Sequence, residues 1–174
     1  MSRELVRRAQ RDGMTGLLNR STWEVLATVQ LARAQGAGIP TTLLLLDLDE
    51  FKTINDTRGH AAGDAALVAI ARTLSSVARP CDVVGRLGGD EFVVLLPGSD
   101  LNSGMRVRDE ILAGLRDSGN DVAASIGIVI TDQRETLDQL MSRADHHMFQ
   151  QKRQSRTAIG QATGVRIVAA APVS

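Results

Sequence analysis

Leu43-Leu44-Leu45-Leu46-Asp47-Leu48-Asp49, continuing as EFKTINDTRGHAAGD to Asp64, is the stretch that decides how this chain is read. The apolar run at 41–48 is bounded by turn residues and predicts a central strand. It runs into Asp47 and Asp49, which on a strand share a face. Carboxylates that follow a buried apolar run are costly unless hydrogen-bonded or bound to a cation. Ordinary loop capping is the plainer alternative. Further along, Arg86-Leu87-Gly88-Gly89-Asp90-Glu91-Phe92 interrupts two apolar runs. Glycines remove side chains where a ligand or second backbone approaches, and they permit positive φ. Adjacent carboxylates at such a turn repel unless solvent or a cation screens them. A polar hairpin turn is the competing reading, but it needs neither Arg86 nor the match to Asp47. Hard oxygen ligands with few histidines favour Mg²⁺ or Mn²⁺ over zinc. Mg²⁺ takes one or two protein carboxylates and completes its shell with phosphates and water, an arrangement that belongs to phosphoryl transfer. The two segments are therefore expected to meet and hold a metal and a nucleoside triphosphate.

Outward from this centre, residues 2–11 are charged and helix-like, the expected end of an upstream signalling helix. The Gly and Asn positions of 12–20 predict a compact turn. Ser21 and Glu24 form a capping-box pattern, Ser21 at N-cap and Glu24 at N3, for a helix running to about 34. A short helix is predicted over 51–57, closed by Gly59. Leu67, Ile70, Ala71, Leu74, Val77 and Ala78 recur at helical spacing over 64–78. Residues 83–87 and 91–96 read as a hairpin around Gly88-Gly89. A helix at 101–116, a strand at 122–130 and a helix from 137 to near 155 follow. The tail at 158–174 carries at most one extra strand, at 165–168, or is disordered. This order gives one α/β domain of the α+β kind, over 12–157, with a mostly antiparallel sheet flanked by helices.

Composition narrows the partners. The chain has 174 residues, 43% of them hydrophobic, enough for one real core. Lys plus Arg is 20 and Asp plus Glu is 20, so net charge argues for no nucleic acid and no membrane partner. Trp23, Phe51, Phe92 and Phe149 are all the aromatics in the Phe, Trp and Tyr class, too few for a base-stacking platform. The single cysteine, Cys81, excludes an internal disulfide framework and fits a reduced, cytoplasmic setting. No apolar run approaches the ~20 residues of a membrane span.

The motifs taken together resemble the GGDEF family, the diguanylate cyclases, over roughly residues 12–157. Asp12–Arg20 resembles the family's entry motif, with Met14 where leucine is usual. DLDEFKTINDTRGHAAGD (47–64) matches the central motif throughout, and RLGGDEF (86–92) matches the signature without substitution. ADHHMFQQKRQSRT (144–157) resembles the closing helix motif, with Phe149, Gln151 and Ser155 replacing tyrosine, alanine and glycine.

The resemblance implies a nucleotidyl-cyclase, palm-like fold and the synthesis of cyclic di-GMP from two GTP by a homodimer, under an upstream sensory domain. It implies that Asp47, the main-chain carbonyl of Leu48 and Asp90 hold Mg²⁺ or Mn²⁺, and that Asp90 or Glu91 helps deprotonate the attacking 3′-hydroxyl. Lys52 lies over the phosphates, with backbone N–H groups around Phe51, and Gly88 and Gly89 leave room for the nucleotide. Lys152 and Arg156, one helical turn apart, reach the triphosphate. Asn55 and Asp64 read guanine, and His60 lines the same pocket or is structural. Arg79 and Asp82, spaced R-x-x-D, mark an inhibitory site for the product, with a second arginine from Arg106, Arg108 or Arg116. An exposed helix-end salt bridge is the alternative for that pair. Two other functions compete: a silent module that binds GTP or cyclic di-GMP and regulates a partner, and a phosphoacceptor receiver domain. The receiver reading leaves 88–92 unexplained and requires a parallel sheet.

Overall fold

In a computed structural model of the chain, residues 9–119, 122–131 and 134–158 are described. In chain order they form β1 (Leu18–Asn19), α1 (Arg20–Gly36), β2 (Thr41–Leu48), α2 (Phe51–Arg58) and α3 (His60–Val77). Then come β3 (Val83–Gly88), β4 (Glu91–Pro97), α4 (Leu101–Asp117), β5 (Ala124–Ile130) and α5 (Leu137–Ala158). The five strands make one sheet in the order β1-β3-β4-β2-β5. β2 is antiparallel to both of its neighbours, β4 and β5, and β3 is antiparallel to β4. Only the two-residue β1 runs parallel to its neighbour, β3. The expected mostly antiparallel sheet is thus the one found, and it excludes the receiver fold.

Alternation along β2 explains the layering. Leu44, Leu46 and Leu48 face a core built with Leu67, Ile70 and Leu74 of α3 and Ile111 and Leu115 of α4. Leu43 and Leu45 face the opposite core, built with Trp23, Ala27 and Leu31 of α1 and Leu140, Ala144 and Met148 of α5. A strand buried on both faces reads as an unbroken apolar run, which is why the four leucines show no period of two. By the same parity Asp47 belongs to the α1/α5 face. Trp23 is fully buried, and its Nε1 donates to the Val83 carbonyl at 2.9 Å. Gly85 makes room for the indole, since a Cβ there would stand 2.7 Å from the ring.

Several expected boundaries shift. Asn19, not Ser21, caps α1: its backbone is extended (ψ 166) as it leaves β1, and its side chain accepts from Thr22 N–H at 3.1 Å. Glu24 then lies too deep for a capping box and faces Arg20, 3.9 Å away, across one turn. Arg11 pairs with Leu18 in an isolated antiparallel bridge, so the upstream helix has ended before it. α3 begins at His60 rather than near 64, because Gly59 (φ 82) both closes α2 and starts α3. β5 begins at Ala124, and α5 continues to Ala158. Residues 1–8 and the proposed strand at 165–168 lie outside the described residues. Among the described residues, no helix is long and apolar enough to cross a membrane.

Candidate active site

The acidic ends of β2 and β4 are brought side by side by strand register. Asp47 stands opposite Glu91 across the ladder, and Leu48 N–H donates to the Asp90 carbonyl at 3.2 Å. Like charges directly opposite on a sheet are destabilising unless something compensates them. The turn between β3 and β4 needs Gly88 (φ 137) and Gly89 (φ 50), conformations that other residues rarely take. Two arginines clamp it. Arg86 donates through Nε (3.1 Å) and Nη2 (2.6 Å) to the Gly89 carbonyl, and through Nη1 to Asp12 Oδ1 at 3.0 Å. Arg20 Nε donates to the Leu87 carbonyl at 3.0 Å. Asp12 is in turn held by the Thr15 amide (2.9 Å) and hydroxyl (2.7 Å).

The charge balance is the unusual feature. Lys152, one turn beyond the buried Met148 on α5, places Nζ 2.5 Å from Asp47 Oδ1. That oxygen is buried and receives no hydrogen bond of acceptable geometry, so the ammonium meets it as a charge rather than as an aligned donor. The distance decides: at this separation in a partly buried setting, Coulomb attraction is strong at any angle. Burial, then the charge on Asp47, pushes the carboxyls of both Asp90 and Glu91 upward. Glu91 is also drawn down by Arg20 and pushed up by Asp145. Burial likewise raises Asp49, although the Ser125 hydroxyl donates to its Oδ1 at 2.6 Å.

These residues fit a hard divalent cation. A buried carboxylate oxygen without an aligned hydrogen bond stands beside two further carboxyls whose charged forms burial disfavours, and a divalent cation would offset that cost. Among the described residues, no three His, Cys, Asp or Glu side chains converge as a metal-holding group. A site using one or two carboxylates plus phosphate oxygens needs no such trio.

The nucleotide-side residues lie on α2 and the start of α3. Glu50, entering α2, has a left-handed backbone (φ 53), a conformation uncommon outside glycine. Phe51 is half-buried against the α3/α4 core, while Lys52 next to it is exposed. Asn55 is partly buried and packs on Gly63, where an added Cβ would land on its Oδ1 and 3.2 Å from Phe51 Cε2. This close approach sets Asn55 beside the backbone that carries Asp64, whose side chain is exposed. His60 is exposed at the first residue of α3. Arg156 belongs to α5, but its side chain lies outside the described set.

Arg79 and Asp82 are elsewhere. Arg79 donates to Asp82 through its amide (2.7 Å) and Nη2 (2.7 Å), and Nη2 also reaches the Pro97 carbonyl (3.1 Å) and Ser99 Oγ (3.0 Å). Pro97 ends the strand that Glu91 begins, so the pair sits about 20 Å from the acidic end. In the free chain it forms the helix-end salt bridge anticipated as the alternative. Of the three further arginines, Arg108 is buried and bound to Asp109 (2.7 Å). Arg106 is exposed in the first turns of α4, where it reaches Ser103 Oγ at 3.0 Å, and Arg116 is exposed in the last.

Arg20, Ser125 and Asp145 were not singled out from sequence, nor were Asp12 and Arg86 as a linked pair. Ser125 comes opposite Asp47 only once β2 and β5 pair, and Arg20 reaches the turn only through the fold. No local pattern signals either one.

Residues 9–158 match the family described as diguanylate cyclase, GGDEF domain. The chain is 36% identical over 163 residues to diguanylate cyclase DgcM of Escherichia coli K12, covering 91% of this chain and 40% of that protein. It is 37% identical over 161 residues to diguanylate cyclase TpbB of Pseudomonas aeruginosa, covering 87% of this chain and 37% of that one. It thus spans about two fifths of the length of these curated relatives. Among solved structures, the GGDEF domain of DgcB from Caulobacter crescentus, in complex with c-di-GMP, superposes with a TM-score of 0.81 at 30% identity. That match covers 89% of this chain and 92% of the other. Diguanylate cyclase SiaD of Pseudomonas aeruginosa, in complex with its activator SiaC, gives a TM-score of 0.79 at 36% identity, over 87% of this chain and 61% of that one.

Proposed function

We propose, from the premise that this chain belongs to the diguanylate cyclase GGDEF domain family, that it condenses two GTP into cyclic di-GMP with release of two pyrophosphates. The observation that carries the reading is the meeting of Asp47, Asp90, Glu91 and Lys152 at one end of the sheet. Asp47, the Leu48 carbonyl and Asp90 would hold Mg²⁺ or Mn²⁺. When bound, that ion would neutralise triphosphate charge and acidify a 3′-hydroxyl.

The chain's own residues supply the rest. Asp90 or Glu91, whose carboxylates burial and the Asp47 charge make more basic, would accept the hydroxyl proton. Lys52 and Lys152, with Arg156, supply positive charge for the phosphates. Asn55 and Asp64 offer the donor and acceptor pattern that guanine satisfies, and adenine would leave them unpaired at roughly 1–3 kcal/mol per lost buried bond. One domain binds one GTP, so turnover requires two domains facing each other, and their proximity does much of the catalytic work. An upstream sensory domain would set how often that pair forms, and the setting would be cytoplasmic. Arg79, Asp82 and a further arginine would bind the product and inhibit. Arg106 is the best placed of the three, because it shares the Ser99–Ser103 end of α4 with Arg79.

Incubation with GTP and Mg²⁺, followed by chromatography, tests the reading. Cyclic di-GMP should appear, and Asp90→Ala should abolish it. GTP binding without product at high protein concentration would instead indicate a regulatory module, and activity surviving Asp90→Ala would remove the metal assignment.

A further inference from the structure

We infer that Lys152 is a built-in competitor for the metal seat: it holds Asp47 until a triphosphate draws it away, so divalent cation and nucleotide bind interdependently. The inference rests on the reading of this end of the sheet as a metal–triphosphate site. Three observations lead to it. First, Nζ lies 2.5 Å from Asp47 Oδ1, inside the space where a cation bound to that oxygen would sit. Second, Asp47 Oδ1 is buried and takes no hydrogen bond, so Lys152 supplies its compensation in the free chain. Third, the contact follows from the architecture. β2 parity turns Asp47 to the α1/α5 face, and α5 is pinned there by Ala144 and Met148.

That pinning is tight. Gly127 of β5 lies under α5, where an added Cβ would meet the Ala144 carbonyl and the Met148 backbone. Withdrawal of the helix as a body would uncover Leu140, Ala144 and Met148, so rotation of the lysine side chain is the less costly way to release Asp47. Lys152 has four methylenes to do this with and retains 28% side-chain exposure. A free divalent cation must displace a paired ammonium, whereas a cation arriving with a triphosphate brings the anionic oxygens that receive it. The same side chain thus stands against Asp47 in one state and against phosphate in the other. A phosphate contact alone would not require the Asp47 pair, and a purely structural salt bridge would not require release.

Mn²⁺ binding, read by electron paramagnetic resonance and calorimetry on the whole chain, separates these cases. Without nucleotide, Lys152→Gln should bind Mn²⁺ about fivefold more tightly than the native chain, the scale of a partly exposed ion pair. Lys152→Arg, which keeps the pair, should behave as the native chain does. A non-hydrolysable GTP analogue should tighten Mn²⁺ binding to the native chain more than to Lys152→Gln. Equal Mn²⁺ affinity of the native chain and Lys152→Gln without nucleotide, with both abolished by Asp47→Asn, would overturn the competition and leave the metal site standing. Mn²⁺ binding that ignores Asp47→Asn in every background would overturn the site reading as well.

Discussion

Asp12 shows how a single side chain near the site is set by opposing effects. Burial, the largest of them, pushes its carboxyl up, yet the Thr15 hydroxyl and amide and the Arg86 guanidinium together hold it below the ordinary 3.8. A carboxyl depressed by folding contributes stability that is complete above its unfolded pKa and is lost as pH falls through the folded one. Asp12→Asn should therefore lower Tm at neutral pH, and the gap from the native chain should close as pH falls below 3.8. Melting curves from about pH 2.5 to pH 7 check this, and a gap independent of pH would show that the Arg86 and Thr15 contacts do not depend on the charge. Gly85 is set by space rather than charge. A methyl there would press on the Trp23 side chain, 2.7 Å away. Gly85→Ala should cost about 1–3 kcal/mol as overpacking, read from the denaturant midpoint. Asp90 and Glu91 have the opposite sign to Asp12: raised by burial and by Asp47, they cost stability as pH rises through their folded values.

At the scale of elements, the start of α1 separates two caps that look equally good on paper. Asn19→Ala should destabilise by about 1 kcal/mol, since Asn19 takes the Thr22 amide. Ser21→Ala should stay within about 0.5 kcal/mol, because Ser21 lies inside the helix. Chemical denaturation of the two variants decides between the caps. The capping-box pattern misled because the two-residue β1 that orients Asn19 is too short to carry any periodicity, and it exists only through pairing with β3. β2 was legible to both ends because a strand buried on two faces is an unbroken apolar run between turn residues. Gly59 was read as a stop for α2, and its second use as the start of α3 needed the observed φ of 82. In the site, Asp47 was legible as a carboxylate after an apolar run, and Asp90 and Glu91 as adjacent carboxylates at a glycine turn. Their meeting depends on the β2–β4 register, and the position of Lys152 depends on which face of β2 receives α5. Neither the register nor the face is a local property of the sequence.

The acidic end of the sheet and the Arg79–Asp82 pair lie at opposite ends of β4, and this spacing allows them to be perturbed separately. The proposed inhibitory site is closed in the free chain: the Asp82 carboxylate, 1% exposed, is spanned by Arg79, which also ties down Pro97 and Ser99. A product bound there must replace those contacts with its own, and guanidinium-to-phosphate pairing is strong enough to do so. Arg79→Ala removes one partner and leaves a buried carboxylate without it, so the variant should melt lower than the native chain. The initial rate should nonetheless stay native, because Asp90 and Glu91 lie about 20 Å away along a strand held from both sides. Inhibition by added cyclic di-GMP should weaken roughly ten- to a hundredfold, the range for a lost hydrogen bond to a charged group. Progress curves distinguish the outcomes. The native chain should slow as product accumulates, and Arg79→Ala should hold its rate until GTP is consumed. If both slow alike while the variant melts lower, Arg79–Asp82 is only the helix-end salt bridge that the free chain displays.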